Sequence, residues 1–220
     1  MNQPPPSQRT TVKRLALRAN YEPAAVKSIL DEALICHLGF VVTGQPYVIP
    51  TIHARHDDHL LIHGSPASRM LRIVREGVDV CVTVTLLDGL VLARSAFHHS
   101  MNYRSVVVLG RATEIRNRDE RLDAMRRLVE HVVPGRWSDA RKPNDVELKQ
   151  TMILRLPISE ASAKIRTGGP TDDEEDYALP IWAGVLPLKP IPQLPIADPR
   201  LNPGIAVPTY LSRYLRPRTT

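Results

Sequence analysis

Apolar residues recur with two different periods along this chain, and the change of period separates predicted helices from predicted strands. Residues three and four positions apart form one apolar face after Pro23, which predicts a short helix with proline in its first turn. Apolar runs at 34–42, 46–55 and 59–63 follow, separated by short polar turns. This spacing predicts three antiparallel strands arranged as a meander.

A second helix is predicted directly after the third strand. Ser65 is expected to cap it, Pro66 to occupy its first position and Gly77 to end it. Valines then alternate with polar residues over 78–85, the clearest two-residue period in the chain. That alternation predicts a strand with one buried face.

In the middle of the chain, the pattern predicts a hairpin followed by a long strand. Asp88 and Gly89 are typical of a tight turn, so a return strand is predicted over 91–97. Polar residues at 98–102 interrupt the pattern, and a final long strand is predicted over 103–115. Its centre is apolar on both faces, as in a central barrel strand.

The last third mixes helices, one strand and a proline-rich end. An amphipathic helix is predicted over 119–133, a short one from Asn144 and a strand over 151–158. Residues 180–220 hold nine of the chain's 20 prolines, so they are predicted to form neither helix nor sheet. A tail wrapping the domain or a partner subunit and a disordered tail remain open alternatives.

Six to seven short strands with few helices describe a small antiparallel barrel, not a doubly wound sheet. The predicted fold class is mainly β with flanking helices. Three segments are expected: an N-terminal arm at 1–20, one barrel domain at 21–188 and a proline-rich C-terminal tail at 189–220.

Composition and net charge limit the classes of ligand and partner that this chain is expected to bind. The 220 residues are 43% hydrophobic, enough for a packed core, and 29 basic against 23 acidic residues give a net charge of +6. The basic residues are scattered and no basic helix face carries interleaved aromatics, so no nucleic-acid partner is expected and a small anionic ligand fits better.

The cellular location is predicted from the absence of an apolar membrane segment and of a secretory signal in the sequence. No stretch approaches the about 18 apolar residues of a membrane helix, and residues 1–20 lack the apolar segment of a secretory signal. Cys36 and Cys81 lie in apolar runs, which indicates two buried thiols. A cytoplasmic protein without a membrane partner is expected.

The segment from His63 to Arg69 is the strongest candidate for ligand chemistry. A helix beginning here would present free amide groups, Gly64 would allow close approach, and Ser65 and Ser68 would add hydroxyl donors. The guanidinium of Arg69 suits phosphate oxygens. The alternative interpretation is a capped helix whose arginine is exposed to solvent and binds no ligand.

A second polar cluster precedes the long apolar strand. Tyr103 and Ser105 share one face of that strand, and Asn102 and Arg104 share the other. A barrel mouth lined in this way could hold a planar ring with polar edges. A loop with incidental polarity is the alternative.

Metal and nucleophile chemistry find little support. His53, His56, His59 and His63 are spaced by 3, 3 and 4, but they fall on a strand, a turn and a strand, where only His53 and His63 could converge. The chain has no Cys-x-x-Cys, His-Glu-x-x-His, Gly-x-Ser-x-Gly or Gly-x-Gly-x-x-Gly motif. No metal site is predicted.

Taken together, these segments resemble the pyridoxamine 5′-phosphate oxidase-related FMN-binding split-barrel proteins, in particular their nitroimidazole-reductase-like branch. The resemblance is carried by DEALICHLGF at 31–40, YVIPT at 47–51, HGSPASRML at 63–71, the run from Thr85 to Ala112, and YALPIWAGVLPL at 177–188.

The resemblance implies a homodimer with FMN at the subunit interface and a small-molecule substrate. Residues 47–51 would offer backbone groups to the flavin ring, Ser68 and Arg69 would hold the phosphate, and residues 102–105 would flank the ring and ribityl chain. The cofactor-binding residues implied are Val48, Ile49, Pro50, Thr51, His63, Gly64, Ser65, Ser68, Arg69, Met70, Asn102, Tyr103, Arg104, Ser105 and Trp182.

The chain departs from pyridoxamine phosphate oxidases at two positions. Met70 stands where their phosphate segment has a lysine, and the region after Trp182 lacks their Arg-x-x-Pro signature. The resemblance therefore does not extend to oxidation of pyridoxamine phosphate itself.

Three functions follow as hypotheses. The first is an FMN-dependent oxidoreductase in which His98, His99 or Tyr103 orients a substrate or delivers a proton. The second is a non-catalytic flavin-binding carrier or sensor. The third is a haem-binding split barrel. Its axial ligand would be one of four histidines: His53, His63, His98 or His99.

Overall fold

Ten strands form one strongly bent antiparallel sheet in the computed structural model, which describes residues 3–214. Neighbouring strands follow the order β1-β9-β6-β5-β2-β3-β4-β8-β7, and β10 pairs with the far end of β5. The strands are β1 Ala19–Asn20, β2 Ile35–Val42, β3 Gln45–His56, β4 His59–Gly64, β5 Asp79–Leu92, β6 Ser100–Arg111, β7 Thr113–Glu114, β8 Met152–Pro157, β9 Ala161–Arg166 and β10 Gly184–Pro187.

Helices cover the ends and one side of this sheet. They are α1 Pro23–Glu32, α2 Arg69–Val74, α3 Arg118–Val132, α4 Arg136–Asp139, α5 Asp145–Lys149 and α6 Thr209–Ser212. The predicted mainly β class with flanking helices is confirmed. No helix among the described residues has the length and apolar character needed to cross a membrane.

The main core lies inside the bend of the sheet. Alternating residues of β2 and β5 point inward, and Leu38 and Val82 are fully buried there. α1 and α2 close the core with Leu30 and Leu71, both without exposed surface. Strand alternation and helix periodicity therefore converge on one apolar interior, as the sequence pattern predicts.

The two cysteines differ in environment. Cys36 is fully buried in the core, where desolvation raises the pKa of its thiol to about 12. Cys81 lies on the outer face of β5 and is only half-buried, so the expectation of two buried thiols holds for Cys36 alone.

A smaller apolar cluster holds α3 against β3, β4 and β8. His53 lies beside it, without exposed surface, with Nε2 3.0 Å from the carbonyl oxygen of Leu30. Since His53 pairs with Ile62, His63 points to the opposite face of the hairpin. The predicted convergence of His53 and His63 is therefore wrong.

The hairpin predicted at Asp88 and Gly89 is also wrong, because β5 runs without a turn from Asp79 to Leu92. The register against β6 shifts at this point, so Asp88 is an unpaired bulge residue. A Cβ on Gly89 would lie 3.0 Å from the carbonyl oxygen of Leu186 in β10. This glycine therefore serves a close approach of strands.

Two further strand predictions change near this region. The return strand predicted over 91–97 ends at Leu92 and gives way to a loop with a 3₁₀ turn at Ala96–His98. The strand predicted over 103–115 is divided into β6 and the two-residue β7, with the buried Ala112 between them.

The start of α2 lies later than predicted. Ser65 and Pro66 form a turn in which the Ser68 amide donates to the Ser65 carbonyl over 2.9 Å. The cap is Ser68, whose hydroxyl accepts from the Leu71 amide, and the helix begins at Arg69. The expectation of Ser65 as cap and Pro66 as first helical residue is wrong because the turn uses both residues.

The proline-rich end contains some regular structure, contrary to the prediction. β10 pairs with β5, and α6 returns to the main body. There the Tyr210 hydroxyl lies 2.5 Å from an Asp139 oxygen, and the Tyr214 hydroxyl donates to the Val132 carbonyl. Between these anchors the chain is extended and exposed. At the other end β1, within the predicted arm, pairs with β9.

Candidate functional site

The turn between β4 and α2 presents an unpaired cation beside two hydroxyl groups. Arg69 is exposed and forms no ion pair within the described part of the chain. The Ser65 hydroxyl accepts from the Ala67 amide and the Ser68 hydroxyl from the Leu71 amide, so both hydroxyl protons remain available. A cation that follows two hydroxyl donors in one turn is suited to phosphate oxygens.

An aromatic pair holds Arg69 in place. Its guanidinium lies 4.3 Å from the ring centroid of Tyr47, and that ring stacks on Phe40 at 5.6 Å. Tyr47 belongs to β3, so this contact ties the phosphate-binding candidate to the strand predicted to lie along the flavin.

The neighbours of Arg69 in the predicted set have different positions. Met70 is buried in the core and Gly64 faces Leu71, which a Cβ would approach to 3.0 Å. His63 is mostly buried, and its Nδ1 has no hydrogen-bond partner among the described residues. Burial lowers the pKa of this imidazole and keeps it neutral near pH 7.

The predicted flavin strand has a free edge. β3 pairs with β2 from Gln45 to Ile52, but with β4 only from His53 onward. Backbone groups on the other edge of residues 48–51 therefore face away from any strand of the described chain. The side chains of Val48 and Pro50 are exposed, whereas Ile49 and Thr51 are half-buried.

Residues 102–105 of β6 divide between two roles. Tyr103 and Ser105 lie on the outer face of the sheet, and the Ser105 hydroxyl donates to the Lys164 carbonyl. Arg104 instead forms paired hydrogen bonds with Glu32 of α1 and with Asp88 of the bulge. These carboxylates raise the pKa of Arg104 above its usual value and occupy its guanidinium in the fold.

The loop after β5 carries His98 and His99. The ring of His98 contacts Asp173, with 3.1 Å from Nε2 to the carboxylate. His99 is exposed, and its Nδ1 lies 3.0 Å from the Ser95 carbonyl oxygen. A carbonyl only accepts, so Nδ1 carries a proton, and Nε2 has no hydrogen-bond partner among the described residues.

Asp172 anchors this loop and gave no signal in the sequence. Its carboxylate has no exposed surface and accepts from the amide groups of Arg94 and Ser95 and from the Arg94 guanidinium. These bonds hold the Ser95 carbonyl where it orients the ring of His99. Only the long-range fold brings the two segments together.

Exposed apolar side chains surround the site. Phe97 and Trp182 are 88% and 68% exposed, and two further exposed residues, Met101 of β6 and Leu186 of β10, both pair with Leu90 of β5. The outer face of β2 and β3 also carries exposed apolar residues, with His37 among them. The second patch consists of Ile35, Val41, Val48 and Ile52. Surfaces of this kind mark binding sites.

Comparisons with solved structures find two full-length matches. The flavocytochrome Anf3 from Azotobacter vinelandii is 42% identical, with a TM-score of 0.90 over 95% of this chain and 97% of that chain. An FAD and haem binding protein from Mycobacterium smegmatis is 32% identical, with a TM-score of 0.87 over 90% of this chain and 98% of that one.

A third solved structure shares the fold of this chain. It is a candidate 5-nitroimidazole antibiotic resistance protein from Bacteroides thetaiotaomicron. It is 23% identical, with a TM-score of 0.55 over 67% of this chain and 86% of that one, a likeness of fold. A comparison with curated proteins gives no match.

The family model described as pyridoxamine 5′-phosphate oxidase matches residues 22–165. This range runs from α1 to β9 and includes the β3 edge, the Arg69 turn and the His99 loop. The chain therefore belongs to the pyridoxamine 5′-phosphate oxidase family, and its bent sheet is the antiparallel split β-barrel of that family.

Proposed function

We propose that this protein is a flavocytochrome, an oxidoreductase that carries a flavin and a haem and passes electrons between them. The observation that carries the proposal is that one fold presents two different open sites. One is the turn in which Ser65 and Ser68 precede Arg69, which has no ion pair among the described residues, and the other is the oriented, accessible Nε2 of His99. The full-length likeness to a flavocytochrome supports the same combination.

The flavin is proposed to be FAD. The Mycobacterium smegmatis protein, 32% identical over 90% of this chain, binds FAD and haem. Arg69, Ser65 and Ser68 fit a phosphate of either flavin, while the open edge of β3 fits the polar edge of the ring. FMN, which the sequence resemblance implies, is the alternative that mass analysis decides.

His99 is proposed as the residue that would hold the haem iron. Histidines that bind metals usually donate the other ring N–H to a carbonyl or carboxylate, as Nδ1 of His99 does to Ser95. His53 is without exposed surface and uses Nε2 at Leu30, and Nε2 of His98 faces Asp173. Of the four histidines considered, His99 has the accessible nitrogen in this arrangement.

The chain contributes binding and orientation to this reaction. The flavin, when bound, exchanges one or two electrons and the haem exchanges one, so together they can link carriers of the two kinds. Arg69 would neutralise phosphate charge and His99 would hold the haem, while Asp172 fixes the loop that carries His99. Phe97 and Trp182 provide apolar surface that excludes water.

The working form is proposed to be a homodimer. Apolar residues are exposed on the outer face of β2 and β3 and along the extended tail between β10 and α6. The tail is fixed at both ends but makes no core contact between them, so a second copy of the chain is the partner that would cover both surfaces.

Cofactor analysis of the purified full-length protein tests the proposed function. Mass analysis of the released flavin and a pyridine haemochrome assay should give FAD and haem in equal amounts per chain. Anaerobic reduction should then change both absorption spectra. Flavin without haem after haem supplementation would support the flavin carrier or the simple oxidoreductase instead, and a protein that takes up neither cofactor overturns the assignment.

Arg69→Ala should weaken flavin binding about 10- to 100-fold. The physical reason is loss of a charge-assisted contact, worth about 1.5–3 kcal/mol. Arg72→Ala is the matched control, since Arg72 is exposed on the same helix and has no contact with Tyr47. Fluorescence titration of flavin into both apoproteins measures the difference. Equal affinities for both variants would remove Arg69 from the site.

Replacing three tail residues by serine should raise the dissociation constant of the dimer at least ~10-fold, equivalent to about 1.4 kcal/mol. Ile191, Leu194 and Ile196 are 72%, 89% and 97% exposed within one chain, so their replacement costs the monomer little buried apolar surface. Val146→Ser, on the exposed face of α5, is the control. Sedimentation over a concentration series gives the constants. Unchanged dimerisation of the triple variant excludes the tail from the interface.

A further inference from the structure

Arg166, the last residue of β9, is a buried cation whose contacts are all neutral. The residue is 9% exposed. Its guanidinium donates to the side-chain oxygen of Asn102 and to the carbonyl groups of Gly168, at 3.3 Å, and Gly169, at 3.0 Å. Its Nε is buried and has no hydrogen-bond partner among residues 3–214.

No carboxylate compensates this charge. None lies within ion-pair distance of Arg166 in the described chain, whereas β1, which directly follows Arg18, pairs with β9 and brings Arg18 toward the end of that strand. Burial, and then the charge of Arg18, lowers the pKa of the Arg166 guanidinium. Arg18 is half-buried and has no ion pair of its own among the described residues. Two neighbouring cations without an anion are costly to bury.

The two arginines border the polar segment of β6. Arg166 pairs across the sheet with Tyr103, and its guanidinium contacts Asn102. Arg18 precedes β1, which pairs with β9 and so places the N-terminal arm beside Arg166. The positive charge therefore adjoins the segment already singled out for cofactor binding.

A purely structural role accounts for part of these observations. The bonds from Arg166 to Gly168 and Gly169 hold the chain as it turns away from β9. They leave the buried Nε unused, and they do not explain why Arg18 is brought close to a second guanidinium. An anion between the two arginines would satisfy both features.

We propose that Arg18 and Arg166 form a binding site for an anionic group of a cofactor, separate from the site at Arg69. This assignment rests on the proposed function, which supplies two such groups: the propionate carboxylates of haem and the phosphates of FAD. Both are planar or branched oxyanions that accept hydrogen bonds from guanidinium groups.

Arg18→Gln is the decisive variant, because it removes one charge without touching the bonds that Arg166 makes to its own turn. Arg14→Gln is the matched control, since Arg14 is exposed on the same arm and contacts Lys164 only through its backbone carbonyl. The full-length apoproteins are titrated with haem, haem dimethyl ester, FAD and riboflavin.

The expected result is that Arg18→Gln weakens binding of haem or of FAD about tenfold or more, the cost of losing a charge-assisted bond. Haem dimethyl ester or riboflavin, which lacks the corresponding anion, should bind the variant and the wild type equally. Loss with haem alone identifies the propionates, and loss with FAD alone identifies the phosphates.

Two results overturn the assignment. If wild type binds haem and FAD and Arg18→Gln changes neither affinity, the anion site is absent while the proposed function stands. The same holds if the affinity for the ester or for riboflavin falls as much as that for the anionic partner. A wild type that binds neither cofactor overturns the proposed function and this assignment together.

Discussion

His99→Ala should purify without haem while keeping its flavin. The substitution removes the accessible ring nitrogen of His99, whose orientation is fixed by the hydrogen bond to the Ser95 carbonyl. Removing only the group that orients a metal ligand typically costs 10- to 100-fold in affinity, so removing the ligand itself should weaken haem retention by more than about 100-fold. The Soret absorbance relative to flavin absorbance, measured on freshly purified protein, reports the loss.

Two matched variants make this result specific. His98→Ala should keep haem, since its Nε2 faces Asp173 and the bond between Ser95 and His99 does not depend on it. His37→Ala should also keep haem, although His37 is exposed on an apolar face of the sheet. A protein that loses haem through either of these variants, but retains it in His99→Ala, would show that the ligand has been misassigned.

Arg104→Met should lower the free energy of unfolding by about 3 kcal/mol, because removing one partner of a buried ion pair costs about 3–5 kcal/mol and this group is partly solvated. Arg104, Glu32 and Asp88 have side chains 16%, 15% and 32% exposed. The variant leaves two carboxylates facing each other between α1 and the bulge of β5. Urea unfolding at pH 7 measures the change.

A comparison with Arg111→Met tests whether burial of the ion pair causes the expected loss of stability. Arg111 lies on the same strand and also forms two hydrogen bonds with one carboxylate, that of Asp79, but both side chains are more than half exposed. Exposed pairs contribute about 0–1 kcal/mol, so this variant should be nearly neutral. Acidic pH should reduce the deficit of Arg104→Met, since protonated carboxyl groups no longer repel each other. A deficit that stays constant with pH would contradict this explanation.

Local patterns predicted much of the sheet because they follow from burial on one face. The alternation of 78–85 appears as the inward and outward residues of β5, and the residues after Pro23 form α1. The Asp-Gly pair misled the prediction because its conformation depends on distant neighbours. Asp88 forms an ion pair with Arg104, and β10 pairs with β5 at Gly89. Because of these contacts, the strand continues where an isolated Asp-Gly segment would turn.

The candidate site was predictable where adjacent residues carry it. Ser65, Ser68 and Arg69 follow one another in the chain, and the structure brings them to one turn. Asp172 and Arg166 could not be found in this way, since each acts on a segment more than 60 positions away, and neither belongs to a motif. Burial of an isolated charge becomes visible only in three dimensions.

The hydrogen bonds from Asp172 to the loop at 94–99 also set the order in which this region can form while the chain is synthesised. The carboxylate lies 78 positions after the Arg94 amide that it accepts from, near the end of the barrel domain. The hydrogen bonds that fix the Arg94 and Ser95 amides can therefore form only after β8 and β9 have been made. Under the proposed function, a fragment that ends before Asp172 should therefore bind iron porphyrin more weakly than the full chain.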